Sequence, residues 1–96
     1  MLDLEKIDEI ASEVATANLT PRIVRSVSSA RIADSEGQDA LRITIVIEAD
    51  AVDRIQGGAA LDTLVQLNQR LRRAGDERFA IVEYATEEEL ENIDDS

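Results

Sequence analysis

Residues 40–49 read Ala-Leu-Arg-Ile-Thr-Ile-Val-Ile-Glu-Ala, and the fold follows from how that run alternates. In an extended chain Leu41, Ile43, Ile45, Ile47 and Ala49 point one way. Arg42, Thr44 and Glu48 point the other, with Val46 among them. This is a strand with one face on a core and one toward water. Slipping its pairing by one residue would turn the isoleucine row to solvent, so its register is firm.

The flanks tell what it pairs with. Residues 34–39, Asp-Ser-Glu-Gly-Gln-Asp, are turn chemistry throughout. Residues 22–33 before them read as a looser strand, so the two form an antiparallel hairpin. Val24, Ser26, Ser28, Ala30 and Ile32 share one face of it, small enough for a helix to lie close above. Ile23, Arg25, Val27, Ser29 and Arg31 share the other.

Upstream, residues 3–18 place Leu4, Ile7, Ala11 and Val14 at helical spacing, with Ile10 beside them. Asp3 caps the start, Asn18 is a left-handed stop, and Pro21 prevents continuation. Downstream, 50–58 hold one helical turn between Asp50 and Asp53, closed by Gly57-Gly58. A helix follows over 59–74, with Leu61, Leu64, Val65 and Leu71 as its buried stripe and Leu67 at one edge. Arg70, Arg72 and Arg73 suit its carbonyl end, and Gly75 its C-cap. Residues 78–85 are a third strand. Thr86 and Glu89 then form a capping box for a short helix through Ile93.

The order is helix, strand, strand, helix, strand, short helix. It implies an α+β fold: a three-stranded, mostly antiparallel sheet with helices packed on one face. Placing the third strand beside the first, in order 2-1-3, would make every neighbouring pair antiparallel; placing it beside the second gives one parallel pair. Residues 1–86 form one compact domain, and 87–96 an acidic C-terminal tail, partly helical or frayed.

Composition narrows function more than it names it. The chain has 96 residues, with 21 Asp and Glu against 10 Lys and Arg, a formal charge of -11. It has no Cys, His or Trp, one Tyr and one Phe. Thiolate and imidazole chemistry, disulfides and Cys/His zinc sites are excluded. No run suits a membrane span or a signal peptide, so a cytoplasmic location is expected. The preference for Arg over Lys suggests a GC-rich bacterial genome.

Catalysis would fall to shifted carboxylates, Lys6 or Tyr84. Lys6 sits among acids that keep it protonated, and the serines lack an imidazole partner. The chain therefore reads as no enzyme. The surviving alternative, a carboxylate-only enzyme, needs a pocket uniting distant acids such as Glu48 and Glu83. No cofactor is expected, and no metal site. Asp34, Glu36 and Asp39 crowd one turn, but a calcium loop counted from Asp34 fails at the glycine and at the closing glutamate, where Asp39 and Ile45 stand.

Two binding readings remain. Gly57-Gly58 opens a helix near Arg54, which makes a small anionic-ligand module the alternative function. The stronger signal is the acidity of the two ends, since residues 79–96 carry no base at all. Such a surface repels nucleic acid and anionic lipid and attracts a basic protein. The expected function is a small acidic protein-interaction module, an accessory subunit or an antitoxin-like neutralising partner of a more basic protein. Glu5, Glu9, Glu87, Glu88, Glu89, Leu90, Glu91 and Ile93 are the expected contact residues. A homodimer suits a chain this short.

Overall fold

The structure is a computed structural model that describes residues 2–55 and 57–94, with backbone alone at 52–54 and 91–94. The elements run α1 (Leu4–Leu19), β1 (Val24–Ala33), β2 (Asp39–Ile47), a 3₁₀ turn (Ala49–Arg54), α2 (Gly57–Arg73), β3 (Phe79–Thr86) and α3 (Glu87–Asp94). This is the α+β fold that the periodicity implies.

Strand order is β1-β2-β3, with β1 antiparallel and β3 parallel to β2. The order 2-1-3 is thus not the one adopted. The reason lies in β2. Leu41, Ile43, Ile45 and Ile47 are buried on one face, and Ala40 and Val46 on the other. A strand buried on both faces belongs at the centre of a sheet. The serines and arginines of β1 suit an edge.

The face of β1 toward the helices also differs from the alternation read above. A bulge between Val24 and Ser26 shifts the register, so Val24, Val27, Ser29 and Arg31 stand opposite Ile47, Ile45, Ile43 and Leu41. Ser26, Ser28, Ala30 and Ile32 turn to the other, helix-free face. The extra residue of a bulge reverses the alternation on either side of it. Ser29, not the small-residue row, meets α1: its hydroxyl donates to Asp8 Oδ1 at 2.5 Å.

Asp3 caps α1 by accepting the Lys6 N–H at 2.8 Å. The helix buries Ile7, Ile10, Ala11, Val14, Ala15 and Leu19. It ends at Thr20 (φ 78°) rather than Asn18, whose amide instead donates to Val14 O and to Gln66 on α2. Gly37, at φ 82°, and Asp34, which accepts the N–H groups of Glu36 and Gln38 at 2.9 Å, build the hairpin turn.

On α2 the buried stripe is Thr63, Leu67 and Leu71, rotated from the expected one. Leu61 is 59% exposed and Val65 46%. Two polar side chains set this rotation. Thr63 satisfies its hydroxyl on Ala59 O at 2.8 Å, which lets it enter the core. Asn68 reaches the open edge of β3, accepting the Ala80 N–H at 2.9 Å and donating to Ala80 O at 3.1 Å. It occupies the place a fourth strand would take. Asn68→Ala should therefore cost about 1–2 kcal/mol in a denaturation experiment, through loss of this paired contact at a part-buried edge.

Candidate interaction surfaces

Helical spacing gathers Glu5, Asp8, Glu9, Ser12, Glu13 and Thr16 on one side of α1, in a shallow groove whose far wall is Val27 of β1. Four carboxylates line it. Asp8 is engaged by Ser29. Glu13 accepts from Arg70 Nη2 at 2.6 Å, and that bond, then the charge of Arg70, holds its carboxyl below the usual range. Lys6 stands 3.5 Å from Glu9. Glu5 and Glu9 are both exposed.

A second groove is lined by Arg25 of β1, by Glu48 and Asp50 beyond β2, and by Thr86, Glu87 and Glu88 where β3 passes into α3. Arg25 is its one cation, 3.4 Å from both Glu48 and Glu87. The capping box forms as expected: Thr86 Oγ1 accepts the Glu89 N–H at 3.2 Å and donates to Glu89 Oε1 at 3.2 Å. This places α3 so that Glu88 faces the groove, while Glu89 borders a neighbouring hollow with Tyr84 and Ile55. Leu90 is 36% exposed. The side chains of Glu91, Ile93 and Arg54 lie outside the described residues.

The alternatives gain little from the geometry. Gly57 and Gly58 are exposed, and a Cβ on either would meet nothing within 4 Å. No close approach therefore explains them, and the anion reading rests on a bare helix end. Glu83 stands on the helix-free sheet face beside Arg42 at 3.6 Å, whereas Glu48 lines the groove at Arg25; no described pocket unites the two acids. The Tyr84 hydroxyl is buried and finds no hydrogen-bond partner among the described residues. Burial raises its pKa, which is the wrong direction for a base at neutral pH. Among the described residues no three Asp or Glu stand where they could hold a metal ion, and no helix is long and apolar enough to cross a membrane.

Arg70 and Arg78 are engaged by internal partners: Arg70 by Glu13, and Arg78 by Asp76 at 2.6 Å. Among the described residues the cation that meets the start of the tail is Arg25, at Glu87. Sequence reasoning missed three features: the buried Asp76–Arg78 pair, the Asn68 contact, and an apolar flank of Leu61, Val65, Phe79 and Ile81. Only the flank left a trace, in the apolar residues on both faces of the third strand, Ala80, Val82 and Tyr84 on one and Phe79, Ile81 and Ala85 on the other. Comparison of the chain with protein-family models, curated proteins and solved structures gave no match.

Proposed function

We propose that this protein is a small acidic interaction module of the cytoplasm that docks on a more basic protein, as an accessory subunit or as a neutralising partner in the manner of an antitoxin. One observation carries the reading. Acids from α1, from the end of β2 and from α3 gather in two grooves, each with one residue of β1 in its wall. In the groove at Arg25, acids far apart in sequence thus build one surface, which chain-end fraying alone would not do. Long-range attraction brings a basic partner to these grooves, and the exposed Leu90 of α3 offers an apolar contact. The same charge disfavours nucleic acid and anionic lipid.

The test uses the full chain as bait in a lysate of the parent organism, at low and at moderate salt. A second bait carries Glu5→Gln, Glu9→Gln, Glu87→Gln and Glu88→Gln, all at exposed positions. A basic protein should be retained by the first bait at low salt, released as salt screens the charge, and absent from the second. Retention of no basic protein by the first bait, or equal retention by both, would overturn the reading.

A further inference from the structure

The flank of the molecule at the β3 edge is unlike the rest. Leu61 and Val65 of α2 and Phe79 and Ile81 of β3 are 59%, 46%, 54% and 40% exposed. Leu61, Leu64, Phe79, Ile81 and Tyr84 line one shallow hollow there, with no charged residue in its wall. β3 is an edge strand, at the opposite side of the sheet from β1. Contiguous exposed apolar area of this kind marks an interaction site on a small protein.

We propose that a second copy of this chain covers this flank, about a twofold axis that sets the two α2 helices antiparallel. Charge selects the occupant. Two chains of charge -11 repel each other through every acidic face, and approach is open to them only through a neutral one. A basic partner is drawn to the grooves instead.

Charge also selects the geometry. At about 100° per residue, Leu61, Val65 and Arg72 fall on one line of α2, and Asp62 and Arg73 on the next. Along the axis the helix thus presents Leu61 and Asp62 near its start, Val65 near its middle, and two cations near its end. Asp62, Arg72 and Arg73 are all exposed. Antiparallel pairing brings Arg72 and Arg73 of each copy beside Asp62 of the other, and opposes the two helix dipoles. A twofold interface requires this self-complementarity. Asn68, by holding both backbone groups of Ala80, turns the contact toward side-chain packing rather than strand addition.

Sedimentation of the full chain over a concentration series tests the proposal. The wild type should show a monomer–dimer equilibrium, and Phe79→Glu or Ile81→Glu should weaken it at least roughly tenfold with an unchanged circular dichroism spectrum. Two charge variants read the geometry. Asp62→Arg alone, and Arg72→Asp with Arg73→Asp alone, should each be monomeric. An equimolar mixture of the two should restore the dimer, because every opposed pair is then of unlike sign. A wild type that stays monomeric throughout the series would overturn the proposal, as would a dimer that ignores Phe79→Glu and Ile81→Glu. A mixture that fails to reassociate would overturn the antiparallel arrangement.

Discussion

Asp76→Ala should remove about 3–5 kcal/mol of stability, enough to unfold most of a domain this small. Asp76 is 1% exposed, and the Arg78 side chain 7%. The guanidinium meets the carboxylate through Nη2 at 2.6 Å and Nε at 3.0 Å; the Arg78 and Leu2 N–H groups add bonds at 3.0 and 3.1 Å. Arg78 Nη2 also donates to Leu2 O at 2.9 Å. Without the carboxylate a buried cation and the Leu2 N–H lose their acceptor together. The desolvation of that cation sets the size of the loss. Urea denaturation followed by circular dichroism measures it. A loss under about 1 kcal/mol would show that water reaches the Arg78 site freely.

The same group gives a pH dependence of known sign. The hydrogen bonds from the Arg78 side chain push the Asp76 carboxyl well below the usual carboxylate range; burial opposes them, and the backbone donors of Arg78 and Leu2 add to them. The unfolded chain releases this proton near pH 3.9. The contribution is therefore complete above about pH 5 and is lost progressively as pH falls below about 4, where the unfolded state takes up the proton first. Glu13 moves in the same direction. Asp76→Asn should flatten the acid limb of a melting-temperature profile. An unchanged limb would place its cause elsewhere.

Leu67→Ala and Leu61→Ala should separate by several kcal/mol although both remove the same atoms from one helix. Leu67 is 1% exposed and belongs to the core, so truncation leaves a cavity and costs about 2–5 kcal/mol. Leu61 is 59% exposed, and its truncation should stay within about 0.5 kcal/mol in dilute solution. The core has no aromatic ring among its buried members, and aliphatic neighbours held by strands close poorly around a void. Guanidinium denaturation of both variants at low protein concentration decides the point. A reversed order would restore the stripe that hydropathy alone suggests.

The α2 stripe also shows where sequence reading stops. Helical period marks which residues lie near each other but not which line of them turns inward when apolar residues lie around much of the helix. Leu61, Leu64, Val65, Leu67 and Leu71 offer more than one candidate line. Thr63 and Asn68 settle it through bonds to Ala59 and Ala80, the second of them to another element. β2 was legible because its alternation is strict and long, whereas β1 was misread at a bulge that adds one residue without any glycine to announce it. Strand order needed the burial of Ala40 and Val46 on the outer face, which no local pattern reveals. Of the candidate surfaces, the acids of α1 and α3 could be read as acidic ends. Their meeting with Glu48 and Asp50 around Arg25 depends on tertiary structure.

The bond between Leu2 and Asp76 joins positions 74 apart. It bears on the order in which the chain acquires its structure. The β1–β2 hairpin closes over a short turn and can form as soon as both strands exist. β3 pairs in parallel and must wait for all of α2, and such long-range closures are slow. On the ribosome the α1 segment emerges early, yet its start stays unfastened until Arg78 follows. A nascent chain stopped before that point lacks β3 and the bonds that hold Leu2, and is a ready substrate for chaperones and proteases. The loop that leads into β3 thus secures the start of α1.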